Sequence, residues 1–430
     1  MRTRHCRLAV CALGLLGWAC DGNPTTPNDG STDPVLGGAG RPGTAGDAAI
    51  AGNVGVSGMA GANAAGAGGV ANLAGAGNGG AAGTAGAGPT SDWWDQAYAK
   101  RVRIDVDNAA GPEALKDFPI LVTLDAAHFA YADAAADGRD LRFVDAAGKL
   151  LRHELELWAP NGTSIVWVKL PELAANAKTT IALYWGNPQA EQLPASAAQA
   201  VWGASYAGVW HFGDNGQDAT GKHDSPDAKS PFVAGQVGKA ASFDGSTQYF
   251  ALPGAKYVSA LPAVTFSGWV QHKGTQPDGK GVIIGIGDEL ATGHASWTSV
   301  TFVDGAIVGE ANPDDVARAE APSGSGTFPN DAWSYFTVVV DIAGKKITNY
   351  KNGAPVGSVF QGAWTAAAFK DLASNRASIG AEEDHGPHWF IGMLDEIRVE
   401  TVARSPAWIA AQAHAQKADW LSFSAVEARK

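Results

Sequence analysis

The densest chemistry in this sequence lies at Glu382-Glu-Asp-His-Gly-Pro-His388-Trp389. Carboxylates and imidazoles both ligate zinc, so a metal site is one reading of the run. Pro387 excludes the helical spacing of a His-Glu-x-x-His protease. Two readings then remain, a solvated polar loop and a loop that touches a ligand. Trp297, close to His294, and Trp389, beside His385 and His388, lie in or next to loops. Sugar sites use exposed aromatic faces together with a few polar groups. The candidate ligand-contact set is therefore Trp297, His385, His388 and Trp389. No Gly-x-Ser-x-Gly elbow and no P-loop occurs. Glu310 and Asp304 are isolated acids that no local pattern assigns to a cleft.

The elements that must position these residues are strands. Arg101–Asp107, Phe118–Leu124, Leu141–Val144, Leu151–Trp158, Ile165–Leu170 and Thr180–Trp185 are short apolar or alternating runs parted by Gly, Pro and Asp. That pattern predicts a β-sandwich. Further on, Val264–Val270, Trp333–Val340, Lys346–Tyr350 and Gly392–Val399 predict a second set of strands. Trp210, Phe243, Phe266, Trp269, Phe336 and Phe390 fall in strand patterns and are expected core residues. Ser405 followed by Pro406 predicts the start of a short helix, with the serine as N-cap. The expected organisation is all-β. A first sandwich occupies 91–190, a linker 191–204, and a jelly roll with a short C-terminal helix 205–418.

The first segment resembles the bacterial domain of unknown function 2341. The resemblance is carried by Trp94, Asp117-Phe-Pro-Ile-Leu-Val122, Gly138-Arg-Asp-Leu-Arg-Phe143, Trp158, Trp167-Val-Lys169 and Tyr184-Trp-Gly-Asn-Pro188. It implies a sandwich found on secreted and surface proteins, and no mechanism. The second segment is similar to the laminin-G-like jelly rolls of the concanavalin A-like class. The matching pieces are Phe243-Asp-Gly245, Phe266-Ser-Gly-Trp-Val270, Trp333 with its strand, Tyr350-Lys-Asn-Gly353, and Gly392 to Val399 with the helix that follows.

This second resemblance implies a structural calcium ion held by Asp395 and Asp218, completed by backbone carbonyls and water. The alternative has Asp395 pairing with Arg398 and Asp218 serving a turn. Glycosidases of related fold set acids on alternate positions of one strand. Glu154-x-Glu156 alternates in this way, but it belongs to the first segment and lacks a third acid. No catalytic residue is therefore assigned.

All three cysteines, Cys6, Cys11 and Cys20, fall in the first twenty residues. Arg2, Arg4 and Arg7 precede a short apolar stretch ending at Leu16-Gly17-Trp18-Ala19-Cys20, which resembles a bacterial lipoprotein signal. It predicts a leader over 1–19 and a lipid on Cys20; plain secretion is the alternative. Residues 20–90 are rich in Gly and Ala and nearly free of aromatics, so they cannot offset their chain entropy by burial. As a flexible tether they reach about 45 Å at ~5–6 Å × √n. The formal net charge is −12, and the expected leader contributes only positive charge to it. An acidic surface disfavours nucleic acid. The sequence thus predicts an exported cell-envelope protein that touches the membrane through its lipid only. It would recognise a glycan or an envelope or extracellular polymer. A scaffold with protein partners and a polysaccharide-active enzyme are the other two classes.

Overall fold

Period-two alternation becomes strands throughout. The computed structural model describes residues 93–226, 229–288, 296–372, 374–417 and 419–430. Cys20, the expected leader and tether, and His294 lie outside them. The first strands are β1 (Lys100–Asn108), β2 (Leu115–Leu124), β3 (Arg142–Asp145), β4 (His153–Leu157), β5 (Ser164–Leu173) and β6 (Ala177–Trp185). Helix α1 (Ala195–Gln199) and β7 (Tyr206–Trp210) follow, then β8 (Phe232–Ala234), β9 (Lys239–Asp244), β10 (Phe250–Ala255) and β11 (Ala263–His272). Next come β12 (Gly281–Asp288), β13 (Trp297–Val303), β14 (Ala306–Asn312), β15 (Ala319–Pro322), β16 (Ser334–Asp341), β17 (Lys346–Lys351) and β18 (Ala354–Gln361). The chain closes with β19 (Asn375–Ile379), β20 (Ile391–Glu400), helix α2 (Pro406–Ala415), β21 (Leu421–Phe423) and β22 (Glu427–Ala428). No described helix is long and apolar enough to cross a membrane.

Four antiparallel sheets build two sandwiches. In the first sandwich, β21-β1-β6-β3 faces β2-β5-β4, with β22 also paired to β1. In the second, β10-β19-β12-β13-β14-β15 faces β18-β17-β16-β11-β20-β9-β8, with β7 also on β20. Strands β21 and β22 lie beyond residue 418, the expected end of the folded chain. They register against Ile104–Val106 and Lys100–Arg101, so the first sandwich is made from both ends of the folded region. Helix α2 is also shared. Ser405 accepts from the Trp408 N–H as the expected N-cap, and Trp408, Ala411 and Ala415 pack into the first sandwich's core.

Strand β5 explains how the two sandwiches join. Val166, Val168 and Leu170 enter the first core. Ile165 and Trp167, on the opposite face, join a separate cluster with Leu121, Val201, Trp202, Tyr206, Val209, Trp269 and Tyr335. A strand buried on both faces reads as a continuous apolar run, which is what Ile165-Val-Trp-Val168 is. Two expectations are corrected by this seam. Trp269 packs between the sandwiches rather than in the jelly-roll core, because it lies on the face opposite Phe266 and Val270. The expected linker 191–204 holds α1 and buries Val201 and Trp202, as seam packing requires.

Candidate functional site

The solvent face of the six-stranded sheet carries a pocket of about 350 Å³. Alternation on β13 and β14 sends Val300, Phe302, Ile307 and Ala311 to the core. It leaves Trp297 and Ser299 opposite Asn312 and Glu310 on the other face. Lys280, Arg318, Glu382 and Glu383 complete the walls. Glu310 is only 2% exposed, and burying a carboxylate is costly unless it is paired. Thr301 Oγ1 donates to its Oε1 at 2.7 Å, and Lys280 Nζ lies 3.3 Å from the same oxygen. Ser299 Oγ at 3.3 Å and Arg318 at 3.1 Å donate to Oε2. The Arg318 guanidinium also sits 5.2 Å from the centre of the Trp297 ring. The pocket thus combines a half-buried indole, a pinned carboxylate and two cations.

Of the four expected ligand-contact residues, Trp297 lines this pocket and the others do not. His388 lies beside it, with Nε2 3.8 Å from Glu382 Oε1. His385 and Trp389 gather instead around Tyr249, at ring separations of 4.6 and 5.4 Å. His385 and His388 adopt left-handed backbone, at φ 63° and 65°, which sends the loop's side chains in two directions. Burial lowers the His385 imidazole and raises Glu382. Sequence reasoning noted Glu310 without assigning it and missed Arg318 and Lys280. The available signal was the parity of Trp297, Ser299 and Thr301 on β13.

Asp218 and Asp395, the expected calcium pair, each accept from their own set of backbone donors. Asp218 accepts from the backbone N–H groups of Val209, Thr220, Lys222 and His223 and from Thr220 Oγ1, which is the turn role. Asp395 Oδ2 accepts from Gln236 N and Val237 N. Arg398 pairs with Glu396, not with Asp395. Among the described residues, the group of three or more acids and imidazoles close enough to share an ion is Glu156, His211 and Glu396.

This group sits at the seam. Strand β4 holds no third acid beside Glu154-x-Glu156, as expected, and Glu396 on β20 faces them across the interface. His211, just after β7, bonds Glu396 through Nδ1 at 2.6 Å. The same nitrogen is 3.7 Å from Glu156, and its Nε2 is 3.5 Å from Glu154. The indoles of Trp167 and Trp202 donate to Glu156 and Glu154 at 2.7 and 2.6 Å. The Arg398 guanidinium lies over both indole rings, 4.5 and 4.9 Å from their centres, and donates to Glu396 at 2.8 Å. A β-bulge makes this possible. Leu394 and Ile397 both enter the core, and Glu396 takes φ 54°, so Asp395 and Glu396 share the seam side. Gly268 faces the bulge, where a Cβ would lie 2.5 Å from Ile397 Cδ1.

Burial and mutual repulsion set the electrostatics here. Burial pushes Glu156 up to about 8, with Glu396 and Glu154 adding to the rise against the pull of His211. Burial opposes charge on His211, but Glu396, Glu156 and Glu154 outweigh it and hold the imidazole well above its usual value. Burial would likewise raise Glu396, yet His211 and Arg398 keep it low. Burial and then Glu396 drive Asp395 well above the carboxylate range.

Comparison with known proteins gives two family matches. Residues 137–219 match the Domain of unknown function (DUF2341), and residues 244–410 match the Concanavalin A-like lectin/glucanases superfamily. The first match runs past the first sandwich to β7 and His211. No curated protein matches the chain. Among solved structures, domain 4 of AbnA, a GH43 extracellular arabinanase from Geobacillus stearothermophilus, in complex with arabinotriose, is similar. It shows 19% identity over 49% of this chain and 98% of that one, at a TM-score of 0.37. The Ruminococcus gnavus IT-sialidase CBM40 bound to alpha2,3 sialyllactose shows 13% identity over 36% and 84% of the two chains, at 0.30. The Botulinum neurotoxin serotype D binding domain shows 14% identity over 51% and 53%, at 0.36. Likeness at this level assigns neither ligand nor activity.

Proposed function

We propose that the concanavalin A-like lectin/glucanases-superfamily domain of this chain binds a carbohydrate in the pocket at Trp297. The observation that carries this reading is the pairing of an indole with a buried, fully engaged Glu310 on the solvent face of a sheet. Stacking on the indole supplies affinity, and Asn312, Ser299, Lys280 and Arg318 supply directional hydrogen bonds to hydroxyls. Binding is favoured over hydrolysis because both oxygens of Glu310 already accept from this chain's own donors. It therefore stiffens the pocket floor and is not placed to attack.

The test is a glycan array probed with the full chain and with Trp297→Ala. Binding by the parent should fall at least tenfold in the variant, which should keep a cooperative urea transition. Silence of the parent across diverse polysaccharides overturns the reading. Export and anchoring through Cys20 belong to the same proposal, since an envelope polymer is met only outside the cytosol. Metabolic labelling with palmitate should mark the protein, and Cys20→Ser should remove the mark. An unlabelled, cytosolic protein overturns this part.

A further inference from the structure

We propose that Glu156, His211 and Glu396 bind a divalent transition-metal ion of the zinc class at the seam between the sandwiches. Each offers one ligand atom, and these atoms lie within 4.8 Å of one another. They come from three separated stretches of chain, β4, the residue after β7 and the bulge of β20. One imidazole with carboxylates suits zinc and its neighbours, whereas calcium calls for six to eight oxygens.

Two independent observations point to a ligand. His211 is 7% exposed, and its Nε2 makes no well-formed hydrogen bond, facing only Glu154 Oε2 at 3.5 Å. Asp395, wholly buried on the same side of the bulge, has an unpartnered Oδ1. The surroundings are rich in carboxylates: Glu154, Glu156, Asp395 and Glu396 face one guanidinium, Arg398, and one imidazole, His211. A dipositive ion would take the place of the protons that the imidazole and the buried carboxyls otherwise hold.

The surroundings resemble an outer shell. Trp167 holds Glu156, and Arg398 takes Oε2 of Glu396, leaving Oε1 toward the imidazole. Such donors fix the orientation of ligating groups. A cavity of about 350 Å³, lined by Glu154, Glu156 and His211, gives an entry path and room for water. Phe212 and Glu396 take φ 58° and 54°, and left-handed backbone at bulky residues is a cost found at functional sites. The inference is independent of the Trp297 pocket.

The experiment titrates the full chain, chelator-treated and with its cysteines alkylated, with Co2+ alone. Visible d–d absorption is the readout, followed by displacement with Zn2+. The expected result is one equivalent bound, with an intense four- or five-coordinate spectrum bleached by Zn2+. Glu156→Gln, which can still accept from Trp167, and His211→Ala should each lose that titration. His388→Ala should keep it. Zn2+ should also raise the unfolding temperature of the parent but not of Glu156→Gln. No spectrum from the parent overturns the proposal, and this outcome does not depend on any variant folding. A spectrum unchanged in both ligand variants, or lost only in His388→Ala, overturns it as well.

Discussion

In the sheet pocket one buried carboxylate, Glu310, meets two cations, Lys280 and Arg318. At the seam, four carboxylates surround one guanidinium and one imidazole. The pocket draws mainly on strands that are neighbours in sequence, β12 to β15, and opens to solvent. The seam joins β4, β7 and β20, and two indoles cover it. Where charge is paired among neighbouring strands, its removal should cost little stability. Where charge is paired across two sandwiches, its removal should cost the fold.

The sharpest way to break this comparison is to delete one cation from each place. Arg398 is 1% exposed, so Arg398→Met strips Glu396 of one of its two partners inside the seam. It should cost about 3–5 kcal/mol in urea unfolding. A loss below 1 kcal/mol would mean that the seam tolerates its carboxylates without the guanidinium. A deletion of 419–430 tests the same joining of distant segments on the first sandwich. It removes β21, β22 and Trp420, which packs edge-on against Phe118 at 5.9 Å. Losing the buried Trp420 alone should cost about 3–5 kcal/mol, with faster amide exchange in β1.

A smaller effect separates single-sandwich burial from the seam. Burial, and then the Arg142 guanidinium, lower His153 from 6.5 to about 4. The folded state therefore prefers the neutral ring. Its contribution is constant above pH 6.5 and is lost as pH falls from 6.5 toward 4, by at most about 3 kcal/mol. Urea midpoints at pH 7, 5 and 4 should drop more for the parent than for His153→Leu. Parallel curves would exclude His153 as the acid-sensitive group. The smallest effect on stability belongs to Arg318→Met. Its side chain is 48% exposed, so it should cost under 1 kcal/mol while weakening glycan binding. Equal stability losses from the two arginine variants would erase the distinction drawn above.

Much of the sheet structure could be read directly. Period-two runs at Val264–Val270 and Trp333–Val340 became β11 and β16, paired from Ala263–Asp341 to Val270–Ser334. Trp297 was singled out because an aromatic beside a polar loop is a local signal, and it lines the sheet pocket. Glu310 was seen and left unassigned, since its partners arrive from Lys280 just before β12, from β13 and from the turn before β15. Glu154-x-Glu156 was seen and set aside because its own strand holds no third acid, and the acid that faces it, Glu396, comes from another sandwich. The bulge hid that acid further: strict alternation along β20 would not place Asp395 and Glu396 on the same side. Asp218 and Asp395 were joined by resemblance, while the structure gives each its own set of backbone donors.

What the order of residues determined alone is the all-β class and the place of many strands, such as β1, β11 and β16, together with the helix start at Ser405 and Pro406. These follow from backbone sterics and a two-residue period, which act over a few neighbours. Tertiary structure decided which outer faces meet, that the last strands return to β1, and which acids crowd around His211. Packing and Coulomb interactions act through space, and the separations they depend on exist only after the chain has closed on itself.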